Sequence, residues 1–289
     1  MNFNWLKTDK AWQPFTFRGC SRFADSSFPR LFFWESLLAV VTATILVWFL
    51  DRCWFPVMDQ ASANFPEVAH IHNGRLLPES LSSESLAANR FLALLLDPHH
   101  SGKVRGPAHI QIEAGAAGLR FISLFGHVDW PYPVRTEEIE VQRSVVGPWW
   151  GAWRAPLLWI VFAGTCVGLM ITWWTLSLIY LVPAWLLARC CDRDLKFFRT
   201  WKLCAAALLP GALCMIVGLI LYSLGAIGLI EVLAIQVVHW VVGIVFCWGG
   251  VMRRPLASQE ASMENPFHTE NEGSEKPSKS ENPFRSTGN

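Results

Sequence analysis

The chain has 289 residues, 52% of them hydrophobic, with a mean hydropathy of +0.30 and a formal charge of +1. That balance is too apolar for an ordinary soluble globule and fits a chain divided between membrane and water. A charge so close to zero gives no electrostatic reason to expect a nucleic-acid partner.

Residues 1–30 interleave Lys7, Lys10, Arg18, Arg22 and Arg30 with Phe3, Trp5, Trp12, Phe15, Phe17 and Phe23. Two readings stand side by side: a basic aromatic segment lying on the membrane surface, and an irregular leader. Leu31 to Leu50 follows, and a bilayer core needs roughly 20 apolar residues of helix, so 31–50 is the first predicted span. Glu35 falls near its start, where the carboxylate can snorkel to the interface or pair with Arg30.

Residues 51–155 carry most of the chain's histidines and alternate between apolar and polar residues, the pattern of a small β-rich α+β domain. His109 to Glu113 and Leu119 to Phe125 are predicted strands joined by the turn Gly115-Ala116-Ala117-Gly118. Phe91 to Leu96 is a third strand, ended by Asp97-Pro98. Val68 to Ile71 and Glu138 to Val145 are further strands, and Ser80 to Ala88 is predicted as a short helix capped by serine.

The last hydrophobic block, Pro156 to Met252, divides into three spans. The first is 156–188, with Pro183 expected to kink or end it. The segment 189–202 carries Arg189, Arg193, Lys196, Arg199 and Lys202 and is predicted as a loop. From Leu203 to Met252 the only acidic residue is Glu231 and there is no Lys or Arg. Fifty residues of helix would be roughly 75 Å long, too long for one crossing. The break is predicted at Ser223 to Gly228, giving spans 203–223 and 229–251. Gly164 and Gly168 form a GxxxG, which packs helices closely within the bundle or against a second copy of the chain.

The expected fold is therefore a membrane α-helical protein with four transmembrane helices and one extracytoplasmic domain. The basic leader, the 189–202 segment and Arg253-Arg254 all belong on the cytoplasmic side by the positive-inside rule, so both termini are expected inside. Trp48, Trp54, Trp149, Trp150 and Trp153 would form the outer aromatic belt, and Trp34, Trp185, Trp201 and Trp248 the inner one. Of the eight cysteines only Cys53 is expected outside, which excludes a disulfide framework there. No N-x-[ST] sequon occurs between 51 and 155, in keeping with a bacterial inner membrane.

This layout resembles a group of uncharacterised bacterial membrane proteins that have one span, an extracytoplasmic β-rich domain and then several spans. The resemblance is carried by Ile71-His72-Asn73-Gly74-Arg75-Leu76, a strand closed by a polar-Gly turn. It continues in Leu94-Leu95-Leu96-Asp97 ahead of Ser101-Gly102. It implies an architecture and no established activity.

Three sets of residues invite a function. His70 and His72 point to one face of a strand and, with His99, His100 and Asp97, offer imidazole and carboxylate ligands for a transition metal, the one cofactor the sequence raises. Glu231 and His239 lie eight residues apart, on roughly one face of the last span, as a transporter's polar residues or as interhelical hydrogen-bonding groups. The polar tail, 253–289, has too few apolar residues to fold and repeats Glu264-Asn265-Pro266-Phe267 as Glu281-Asn282-Pro283-Phe284. Asn-Pro-Phe resembles the peptide bound by eukaryotic EH domains; in a bacterium it would be a docking peptide for another partner or drift. No G-x-S-x-G, Walker loop, HExxH or CxxC is present. The sequence reading is thus a non-enzymatic envelope protein that presents its external domain to a protein partner or ligand, with metal handling and transport as alternatives.

Overall fold

The structure is a computed structural model and describes residues 13–77, 81–99, 101–134 and 137–256. Four helices are long and apolar enough to cross a membrane: Phe28–Ala63, Arg143–Cys190, Phe197–Ser223 and Leu229–Met252. In chain order the elements are α1 (Phe17–Phe23), α2 (Phe28–Phe49), a π-helical turn (Leu50–Trp54) and α3 (Phe55–Ala63). Eight strands follow among the described residues: β1 (Val68–His72), β2 (Arg75–Leu76), β3 (Glu84–Ala88), β4 (Leu92–Leu96), β5 (Ile110–Ala114), β6 (Gly118–Ser123), β7 (Gly126–Pro131) and β8 (Ile139–Gln142). The chain then enters α4 (Arg143–Cys190), α5 (Phe197–Ser223) and α6 (Leu229–Met252).

α5 is the centre of the bundle. Leu203 through Leu209 are all 0% exposed, and the run holds three alanines in succession. Small residues let the neighbouring helices close in where no hydrophobic effect drives them together. Gly211 shows how closely: a Cβ there would stand 2.6 Å from both Nδ1 and the carbonyl oxygen of His239 on α6. α4 is the opposite case, with none of its most apolar stretch buried. Gly164 and Gly168 face outward, and a Cβ on either would meet nothing within 4 Å. The expectation that this GxxxG packs inside the bundle is therefore corrected, because the small-residue seam of the bundle lies on α5.

Several expected boundaries move. The helix begun at Phe28 does not stop at Asp51-Arg52 but runs on to Ala63, burying Phe55, Val57 and Ala61. Charge ended the apolar run without ending the helix. α4 likewise passes through Pro148, Pro156 and Pro183 to Cys190, so Pro183 does not terminate it. The predicted loop 189–202 shrinks to residues 191–196, since α5 already begins at Phe197. Residues 13–27 are ordered and pack onto the bundle. Thr16 caps α1, its side chain accepting from Gly19 N–H, and Cys20 and Phe23 are 0% exposed against α5 and α6. Glu35 does not snorkel either; it is wholly buried and accepts a hydrogen bond from Trp174 Nε1 at 2.9 Å.

At the other end of the bundle stand two sheets, with strand orders β2-β1-β8 and β3-β4-β5-β6-β7. The β1–β2 turn pairs His72 with Arg75 around Asn73 (φ 51) and Gly74 (φ 72), the left-handed pair that a two-residue hairpin needs. The β5–β6 hairpin forms where the sequence placed it. Glu84–Ala88, expected in a helix, is strand β3: cross-strand pairing with β4 buries Leu86 and Ala87 and overrides the local helix preference of Glu-Ser-Leu-Ala-Ala.

β4 and β5 run parallel, so the chain must cross over between them. Among the described residues of 97–109 no helix makes this crossover, and buried carboxylates anchor it. Asp97, 0% exposed, accepts from Ser83 Oγ (2.6 Å), Ser101 Oγ (3.1 Å) and Gly102 N–H (2.8 Å). Arg105 reaches Glu113, also 0% exposed, at 2.9 Å. Burial would raise the pKa of Asp97, but these donors together outweigh it and hold the carboxyl at about 2. A depressed carboxyl stabilises the fold above its unfolded pKa, about 3.9, and that stability is lost as pH falls from there toward about 2. Asp97→Ala removes three hydrogen bonds to a buried carboxylate and should cost roughly 1–3 kcal/mol. Thermal unfolding of the detergent-solubilised protein should show the drop, and most of it should vanish when wild type and variant are compared at about pH 2.

Candidate functional site

One short turn between β3 and β4, Asn89-Arg90-Phe91, reaches from the five-stranded sheet to the helix ends. Asn89 Oδ1 accepts from the backbone N–H of Phe91 (2.8 Å) and Leu92 (2.9 Å), which fixes the turn, and its Nδ2 donates to the Cys53 carbonyl at the end of α2. Arg90 donates to the carbonyls of Gly225 (2.6 Å) and Ile227 (3.2 Å) in the α5–α6 connection. Gly225 takes φ +75 there, and a Cβ on it would stand 2.7 Å from Arg90 Nη1. Phe91 packs edge-on to Phe49 of α2 (5.2 Å) and Tyr222 of α5 (5.0 Å). His109, at the head of β5, stacks on Tyr222 (5.6 Å), and its Nδ1 lies 2.8 Å from the tyrosine hydroxyl.

Beside this plug opens a cavity of about 410 Å³ with one wall from the five-stranded sheet and the other from the start of α6. His109, Gln111, Ser123 and Glu231 give it polar groups; Ile122, Leu229 and Ile230 give it apolar ones. Gln111 Nε2 donates to the Gly106 carbonyl (2.6 Å), while its Oε1 is buried with no partner among the described residues. Burial and then the nearby Arg90 charge push the His109 pKa down, so the ring enters the cavity neutral at pH 7. A site with a few converging polar groups on an apolar wall suits an amphiphile.

The opposite face of the sheet holds a second, smaller cleft of about 190 Å³ under α3 and the first turns of α4. Leu94, Ile112, Met58, Phe65 and Trp149 line it, and Ser62 is its one polar side chain. Trp150 closes it. Expected in a membrane belt, Trp150 is instead 6% exposed, stacked edge-on with Phe55 and donating to Asp59 Oδ1 at 2.7 Å. Trp149 and Trp153 remain exposed, as a belt requires.

The residues singled out in the sequence fall in separate places. His70 and His72 lie on β1 of the three-stranded sheet, with His70 Nδ1 2.8 Å from Glu138 and His72 beside Asn73. Asp97 serves the crossover, and His99 lies in the turn just after β4, a strand of the other sheet. His100 is outside the described residues. Among the described residues, no group of three or more His, Cys, Asp or Glu side chains is placed to hold a metal ion. Glu231 is exposed and caps α6, its Oε2 accepting from Gly228 N–H at 2.9 Å, whereas His239 is 4% exposed against Gly211. They do not form one polar path. Asn265, Pro266, Phe267, Asn282, Pro283 and Phe284 all lie outside the described residues. Sequence reading missed Arg90, Gln111 and Tyr222; the only signal was Arg90 standing alone between two apolar runs.

No known protein family, curated protein or solved structure matches this chain.

The lowered His109 pKa has a sign that can be measured. An unfolded imidazole takes up its proton near pH 6.5, the folded one only at lower pH. The contribution is complete above about 6.5 and is lost as pH falls through that value. The detergent-solubilised protein should melt at lower temperature at about pH 5.5 than at about pH 7.5, and His109→Gln, which keeps a partner for Tyr222, should flatten that dependence.

Proposed function

We propose that the protein is a non-enzymatic, multi-pass envelope protein that binds an amphiphilic ligand or a partner's amphiphilic segment at the junction of its external domain and its spans. The observation that carries this reading is the shared wall of the junction cavity: an occupant touches His109 and Gln111 of the sheet and Glu231 of α6 at once. Such contact lets occupancy bias how the domain sits on the α5–α6 connection, which is what a sensing or assembly role needs. The outward Gly164–Gly168 seam on α4 is offered to a second copy of the chain.

Orientation follows from the basic residues. Arg30, Arg189, Arg199, Lys202 and Arg253 gather at the bundle end away from the sheets, which belongs inside by the positive-inside rule. The native Cys190, exposed at that end, should react with a membrane-impermeant maleimide only after permeabilisation, and Lys103→Cys should react without it. The reverse pattern refutes the orientation.

Occupancy is tested by native mass spectrometry on protein taken from its own membrane into nanodiscs. Wild type should retain a bound small molecule or lipid, and Leu229→Trp, which fills the cavity, should lose it while keeping its melting temperature. An identical adduct on the filled variant, or none on wild type, counts against the site.

A further inference from the structure

The β6–β7 hairpin turns on Leu124 and Phe125, two large apolar residues at a position where a two-residue turn ordinarily carries Gly, Asn or Asp. Both are exposed, Leu124 at 55% and Phe125 at 81%. Their position in the fold gives that exposure a meaning. Leu124 shares the wall of the junction cavity with Leu229 and Ile230, the first residues of α6. On its other side, Phe125 shares a cavity of about 380 Å³ with Trp54, at the end of the π-helical turn that follows α2. The tip therefore stands level with the ends of two long apolar helices. On the sheet behind it Arg120 and Asp129 pair with each other at 2.7 Å, and Glu231, which lines the same cavity as Leu124, accepts from Gly228 N–H at the start of α6.

We propose that this turn is a membrane-contacting element that seats Leu124 and Phe125 in the interfacial layer of the lipid leaflet on the sheet side. The proposal rests on reading the four long helices as spans. Lipid is the occupant that fits, because Leu124 and Phe125, beyond the last ladder pair Ser123–Gly126, adjoin both the start of α6 and the π-helical turn that follows α2. A partner strand added to the free edge of β7 would cover Gly126 to Pro131 and leave the turn bare.

The test uses the full chain in nanodiscs of phosphatidylethanolamine and phosphatidylglycerol. Trifluoromethyl-phenylalanine replaces Phe125 by nonsense suppression and, in a second sample, Trp159, which is 71% exposed on the charge-free stretch of α4 that begins after Arg154. Fluorine relaxation is read with a doxyl-labelled lipid and with a water-soluble gadolinium chelate. At 125 the doxyl lipid should broaden the signal more than the chelate does, as it should at 159. Broadening by the chelate alone at 125, with lipid broadening kept at 159, overturns the hairpin proposal and leaves the spans standing. Protection from both agents at 125 also overturns it, since a second copy or another protein then covers the turn. Chelate broadening at 159 refutes the spanning reading itself.

Discussion

The structure depends on the Arg90 side chain reaching out of the sheet to two backbone carbonyls of the α5–α6 connection. A helix hairpin that turns on glycine leaves its last carbonyls without intrahelical partners. Gly225 and Ile227 present theirs to the domain, and a guanidinium, with its fixed fork of donors, satisfies both. The rest of the junction follows from that contact. Phe91 is carried into the gap between Phe49 and Tyr222, His109 is brought over Tyr222, and Asn89 is left facing the end of α2. One turn of three residues thus ties the sheet to α2, α5 and α6. The domain has a defined seat on the bundle and is not a bead on a tether.

The same economy explains the buried carboxylates. Asp97 and Glu113 would attract a catalytic reading by burial alone. Each instead accepts hydrogen bonds that hold the crossover in place, Asp97 from Ser83, Ser101 and Gly102, and Glu113 from Arg105. A parallel strand pair normally gets its crossover from a helix, whose backbone bonds are internal. Here the described residues between Asp97 and His109 form no helix, and the carboxylates of Asp97 and Glu113 hold the connection through Ser101, Gly102 and Arg105.

The four long apolar helices were legible in the sequence because length and lack of charge mark each of them locally, and the break at Ser223–Gly228 was legible because glycine marks it. Where the reading failed, it had equated a change of solvent with a change of backbone. Asp51-Arg52 leave the apolar layer, yet the helix continues, since Phe55, Val57 and Ala61 still have a sheet to cover. The local pattern of Glu84 to Ala88 favours helix, and only β4 alongside makes it a strand. The hairpin β5–β6 was readable because its partners adjoin in sequence. The junction was not: Arg90 meets Gly225 across 135 residues and His109 meets Tyr222 across 113, and no local period encodes such pairs.

α5 and α6 connect this junction to the opposite end of the molecule. There Arg254, just past α6, pairs with Asp25, and Phe17 of α1 lies so close to Gly249 that a Cβ would stand 2.6 Å from its ring. Between these two ends the helices are locked by contacts with no slack, such as Gly211 against His239 and Gly218 against Ile235. Close-packed interiors do not absorb displacement gradually; they hold one arrangement or shift to another. A shift of the Gly225–Gly228 connection is therefore not damped within the bilayer-length part of α6. It either is resisted by the whole α5–α6 pair or arrives at Asp25 and Arg254.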